Sequence, residues 1–168
     1  MEPIKLLFAA LISLLLSMNL ASADEHALFT TQSLTPETAL KAASAALGKC
    51  RVEGFQVAVA VVDRSGNTQV VLRDRFAGAH TPETARRKAW TAASFRANTT
   101  EMMQITAAGQ PQAGVRHVTG ALMIGGGMVI EAAGSLVGAI GVSGAPGGEL
   151  DDLCAAAGIE AIEDDISF

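Results

Sequence analysis

"QVAVAVVDRSGNTQVVLR", Gln56 to Arg73, reads as two extended runs around a turn. Gln56 to Asp63 is almost continuous valine and alanine, Arg64-Ser65-Gly66-Asn67 carries turn chemistry, and Thr68 to Arg73 returns with β-branched residues. Together they predict a β-hairpin. The same five letters, TPETA, stand on either side of it, beginning at Thr35 and at Thr81. Each copy predicts a helix start, because a threonine hydroxyl caps, a proline fits the first helical position and a glutamate sits near the positive end of the helix dipole. The first helix is expected from Thr35 to Arg51, with Ala39, Ala43, Ala46, Leu47 and Cys50 at helical spacing and Gly48 and Gly54 at its exit. The second is expected from Thr81 to Phe95, with Ala85, Ala89, Ala92 and Ala93 on one face and Arg86, Arg87 and Lys88 crowding the first turns. Nothing resembling the hairpin follows it at the matching offset, so the repeat is one helix start written twice and not a duplicated fold. The copies differ in what precedes them: Leu34 in the first, His80 in the second.

Further along, Asn98-Thr99-Thr100-Glu101 predicts the cap of a short third helix running through Ala107. Gly109 to Thr119 is polar and rich in breakers, and reads as a surface loop. Three short strands are expected at Ala121 to Ile124, Gly127 to Glu131 and Leu136 to Ser143. Their glycine density predicts close backbone approach, bulges or a subunit contact. Ser143 to Gly148 is a turn-rich connection, and a last helix from Asp151 to Ala157 is expected to end at Gly158. Helix, hairpin, helix, strands and helix make an α+β chain.

The chain opens with Lys5, an apolar run from Leu6 to Leu16 and the small residues Ala21-Ser22-Ala23. That pattern predicts a cleaved export signal over residues 1–23, a mature chain of one domain over 24–168 beginning at Asp24, a periplasmic or secreted location and no membrane attachment after cleavage. A net charge of −5 without a basic patch argues against nucleic acid as a partner. Aromatic residues make up only 4% of the chain, so base-stacking platforms are not expected. Abundant alanine and glycine instead predict a core of small side chains packed closely. Cys50 and Cys154 permit one disulfide in an oxidising compartment, or two buried thiols.

Of the three histidines, His26 falls in a stretch expected to be a solvated tail, and His117 lies beside Arg116 in the polar loop. His80 is different. It immediately precedes a helix N-terminus, where an imidazole can bind a metal while helix N–H groups, Arg86 and Arg87 hold carboxylates. Enzymatic patterns fail on inspection, and no catalytic residues are assigned. Gly141-Val142-Ser143-Gly144 lacks the closing glycine of a nucleophile turn, since Ala145 stands there. Gly125-Gly126-Gly127 is followed by no lysine and opens no helix, so it is no phosphate loop. The acidic run around Glu160, Glu163, Asp164 and Asp165 reads as a solvated end.

Val57 to Asp63 with Gly66, "LRDRFAGAHT" from Leu72, "ARRKAWTAASF" from Ala85, "GGGMVIEAAGSLVGAIGVSGA" from Gly125 and "DDLCAAAGI" from Asp151 together resemble the GlcG/HbpS family of heme-binding proteins, over Thr35 to Ile162. The resemblance implies a profilin-like three-layer α/β/α sandwich with a five-stranded antiparallel sheet, assembling as a dimer or higher homo-oligomer. It also implies binding of heme or a related tetrapyrrole, in an exported protein of heme or iron handling or sensing. The chain departs from the family's usual pattern at Val129 and at Asp151-Asp152, positions expected to bear on backbone geometry and not on the ligand. In such a sandwich the helices bearing Cys50 and Cys154 are neighbours, which implies a disulfide between them. A tetrapyrrole needs an axial donor, an apolar wall and cations for its propionates. His80 is the expected axial and metal ligand, Phe76, Trp90, Met102 and Met103 the wall, and Arg86, Arg87 and Arg116 the cations. An oxygen-bound iron would turn instead to Thr99 or Thr100, and His117 is the remaining histidine candidate. The alternative is an accessory protein or enzyme acting on a small oxidised metabolite such as glycolate, because some members of the family are associated with glycolate metabolism.

Overall fold

Both runs of the hairpin are strands in a computed structural model of the chain, which describes residues 27–167. The expected export signal, its cleavage site and His26 lie outside the described residues. Strand β1 is Ala58–Asp63 and β2 is Thr68–Arg73. Between them the Asp63 carboxylate organises the turn, accepting from the N–H groups of Ser65 (2.8 Å) and Asn67 (2.9 Å) and from the Asn67 amide (3.0 Å). Helix α1 (Pro36–Val52) precedes the hairpin and α2 (Thr81–Phe95) follows it. Then come α3 (Thr99–Ile105), a 3-10 turn (Ala113–His117) inside the expected loop, β3 (Gly127–Ala132), β4 (Ser135–Ser143), α4 (Gly148–Glu160) and the single turn α5 (Glu163–Ile166).

The sheet is antiparallel, with strand order β2-β1-β4-β3. Among the described residues it has four strands, not the five expected. The missing one is Ala121 to Ile124, whose backbone is held by helix side chains in place of a neighbouring strand. The Arg87 guanidinium donates to the carbonyls of Gly120 (3.2 Å) and Ala121 (2.8 Å), and the Leu122 N–H donates to the Thr91 hydroxyl (2.9 Å). The Ala121 carbonyl and the Leu122 N–H, satisfied this way, have no need of a ladder.

Alternation along the central strands explains the layers. Val57, Val59 and Val61, with Ile140 and Val142 of β4, face the alanine stripe of α1 and the Cys154 side of α4. Ala58, Ala60, Val62 and Ala139 face Ala85, Ala89 and Ala92 of α2. Both faces of β1 are therefore buried, and its sequence is apolar without alternation. The α2 face is built of alanine and glycine because the helix backbone lies almost on the sheet: a methyl group at Gly141 would collide with the carbonyl of Ala85 and lie 2.7 Å from the nitrogen of Ala89.

On the other face, Cys50 and Cys154 are bonded, with Cα atoms 5.5 Å apart, and tie α1 to α4. Helix α4 does not stop at Gly158 as expected. That glycine sits within it, where a Cβ would lie 2.8 Å from the carbonyl of Ala42 and 3.0 Å from Cβ of Ala46, so it is a helix contact and not a terminator. The end of α1 is pinned by Arg51, whose guanidinium donates twice to the buried Asp74 carboxylate at 2.7 and 3.0 Å. Among the described residues no helix is long and apolar enough to cross a membrane.

Candidate functional site

Helix α2 begins differently from α1. Its N-cap is His80, already in helical conformation, and the imidazole makes no capping hydrogen bond. Thr81 is the first helical residue and is buried; its hydroxyl donates back to the Gly78 carbonyl at 2.8 Å. The Thr84 hydroxyl donates to the His80 carbonyl at 3.0 Å. The His80 ring folds over Gly78, where a Cβ would come within 2.7 Å of its Cε1.

This helix start forms one wall of a cleft of about 760 Å³. The opposing residues are Gly54, Phe55 and Gln56 before β1, Ile124, and the turn from Ser143 to Gly148 that leads into α4. The volume falls in the range of about 300–1,000 Å³ typical of small-molecule and cofactor sites. Phe76 and Ile124 offer apolar surface there, 80% and 46% exposed.

Lys88 and Asp151 also line the cleft, though almost wholly buried, with their side chains 2% and 5% exposed. Lys88 Nζ lies 2.7 Å from Asp151 Oδ2 and donates to the Val142 carbonyl at 2.9 Å; Asp151 Oδ1 accepts from the Ala145 N–H at 3.0 Å. Burial pushes the Asp151 carboxyl above its ordinary value, with the Lys88 charge pulling the other way. Room for the pair comes from Gly126, at φ +109°, where a Cβ would meet Val142 O (2.6 Å), Asp151 Cβ (2.7 Å) and Lys88 Nζ (2.8 Å). The glycine triplet is thus the meeting point of α2, α3 and α4.

The residues singled out by sequence are dispersed. His80 and Phe76 line the cleft; Arg86, Arg87, Thr99 and His117 do not. Arg86 is paired with Glu83 at 2.7 Å, and Arg87 is committed to the backbone of Gly120 and Ala121. Thr99, buried, accepts from the Gly127 N–H at 2.8 Å, while the Thr100 hydroxyl donates to Asp152, whose other oxygen accepts from the Gly126 N–H at 2.6 Å. Arg116 donates to the carbonyls of Thr106 (2.6 Å) and Met103 (2.7 Å), with His117 exposed beside it. Trp90 and Met102 pack with Ala121 and Met123 in a small core of their own. Among the described residues no group of three histidine, cysteine or acidic side chains is placed to hold a metal ion.

Sequence reasoning missed Lys88, Gln56 and Asp151 as cleft residues. Asp151, expected to bear mainly on backbone geometry, shares the lining with His80. For Lys88 a signal existed: Thr81, Thr84 and Lys88 recur at i, i+3 and i+7, one stripe of the helix, whereas Arg86 and Arg87 fall off it.

The family model for HbpS-like proteins, described as haem degrading protein HbpS-like, matches residues 34–160. The chain belongs to the HbpS-like family. Every residue of the cleft, from Gly54 to Asp151, lies inside the HbpS-like region. Among solved structures, a double mutant of HbpS from Streptomyces reticuli is 40% identical, with a TM-score of 0.78 over 84% of this chain and 94% of that one. HbpS itself is 42% identical, with a TM-score of 0.77 over 81% of this chain and 94% of that one. The complex of PduOC with heme is 30% identical, with a TM-score of 0.73 over 77% of this chain and 95% of that one. No curated protein matches the sequence.

Proposed function

We propose that this HbpS-like protein is an exported, periplasmic or secreted protein that binds heme or a related tetrapyrrole in the cleft, and that it acts in heme or iron handling or sensing. His80 is the axial ligand in this reading. The observation that carries it is the free imidazole: His80 stands on the cleft wall beside exposed Phe76 and Ile124, its ring uncommitted at the helix start. An axial nitrogen, apolar surface and a cation are what a tetrapyrrole requires. The cleft has the first in His80, the second in Phe76 and Ile124, and the third in Lys88. A relative of this chain, PduOC, has been solved in complex with heme. When bound, heme supplies a redox-active iron; the chain supplies the donor that holds it and the walls that limit water. Homo-oligomer assembly belongs to the same reading.

The test is a titration of purified protein with hemin, followed through the Soret band. The wild type is expected to develop a Soret band and to saturate. His80→Ala is expected to shift the Soret maximum and to weaken binding at least about tenfold, or about 1.4 kcal/mol, with the fold retained. An unchanged spectrum and affinity would remove His80 as the ligand and send the search to Thr99, Thr100 or His117. Intact mass of the exported protein, expected to begin at Asp24, tests export separately.

A further inference from the structure

The ammonium of Lys88 has three N–H donors. Two are taken, by the Val142 carbonyl and by Asp151, and the side chain lines the cleft. Long side chains on a helix lean toward its N-terminus, so Lys88 reaches back along the stripe of Thr81 and Thr84 toward the His80 end. Stability alone is a weak reason for such a pair, because a buried ion pair contributes little over apolar packing of similar volume.

A second observation points the same way. Gln56 lines the same cleft, and its side-chain Oε1 is buried with no hydrogen-bond partner. An unmatched amide at a cleft wall awaits a partner, and it can turn to present either its oxygen or its NH₂ group. The wall also contains Gly147 and Gly148, where α4 begins without a side-chain cap and the N–H groups of Leu150 and Asp151 donate to the Gly147 carbonyl at 3.2 Å.

We propose that the Lys88 end of the cleft is a carboxylate subsite. The third Lys88 donor receives a carboxylate arm of the ligand, with Gln56 on the same cleft lining and Asp151 competing for the same ammonium. The proposal rests on the cleft being the ligand site; for a tetrapyrrole the arm is a propionate. It assigns that role to Lys88 in place of Arg86, Arg87 and Arg116, which do not line the cleft.

The test compares hemin with its dimethyl ester, titrated into the full protein in one detergent-containing buffer. Wild type is expected to prefer the free acid by at least about tenfold, the scale of one charge-assisted hydrogen bond. Asp151→Asn removes the competing carboxylate and is expected to raise the acid-to-ester ratio. Lys88→Met is expected to bring it near one; should the unpaired Asp151 prevent folding, the double variant Lys88→Met with Asp151→Leu takes its place. Equal binding of acid and ester by the wild type overturns the subsite alone. A preference that survives loss of Lys88 also overturns it and returns the propionates to the arginines. If neither compound binds, the cleft reading itself falls, and the subsite with it.

Discussion

The two TPETA sequences open helices of similar length by different means. At the first, Thr35 stands outside the helix in extended conformation (φ −76°, ψ 156°), and its hydroxyl accepts from the Thr38 N–H at 3.2 Å. At the second, Thr81 is inside the helix, and the preceding His80 is already helical (φ −77°, ψ −22°). The preceding residue sets the frame. Leu34 is buried, and its N–H donates to the Val137 carbonyl at 3.2 Å, which holds the chain extended up to Thr35. His80 has no such anchor, and the turn bonded at the Gly78 carbonyl lets the helix begin one residue early. Five identical letters thus specify a helix within one residue, but their neighbours decide whether the threonine is a solvent-facing cap or a buried wall of a cleft.

The comparison breaks most forcefully at the disulfide, because α1 is held covalently and α2 is not. Replacing Cys50 and Cys154 by alanine is expected to lower stability by up to about 4–5 kcal/mol, as loop-closure entropy predicts for a separation of 104 residues. Denaturant unfolding of the variant against the oxidised wild type measures it, and a loss below about 1 kcal/mol would show that α1 is seated by packing alone.

The two threonines sharpen the contrast at a smaller scale. Thr35→Ala is expected to cost about 0.5–2 kcal/mol as a lost cap, with hemin affinity unaltered. Thr81→Ala removes a buried hydrogen bond worth about 0.5–1.5 kcal/mol and, because Thr81 lines the cleft, is expected to change hemin affinity as well. Equal effects of the two on ligand binding would erase the difference between the starts.

Smallest in ordinary buffers is the effect of acid on the far end of α1. The Arg51 guanidinium, joined by the Arg75 N–H, holds the Asp74 carboxyl at about 2, below its ordinary 3.8. A depressed carboxyl stabilises the fold above its unfolded value, so this contribution is intact above pH 3.8 and is lost as pH falls through about 2. Arg51→Met is expected to remove that segment of the acid-unfolding curve, followed by circular dichroism.

Periodicity made the framework legible. The hairpin, both long helices and the alanine faces follow from spacings within one element, and the Cys50–Cys154 bond from the sandwich that the family resemblance implied. What stayed hidden was satisfied across elements. Ala121 to Ile124 has the composition of a strand, but Arg87 and Thr91 hold its backbone, and no local pattern announces a side chain reaching over from a helix. Gly158 looks like a stop only until α1 is laid against it. At the cleft, His80 was visible because of its chemistry, while Lys88 was masked by two arginines beside it and by an acidic partner 63 positions away.

The alanine and glycine layer beneath α2 has a mechanical side. Such side chains have no rotamers to lose on folding or to rearrange afterwards. A face made mostly of them has few soft elements with which to absorb a displacement, and backbone rests nearly on backbone at Gly141. A displacement of the His80 end of α2 is therefore expected to move the helix as a unit across the sheet.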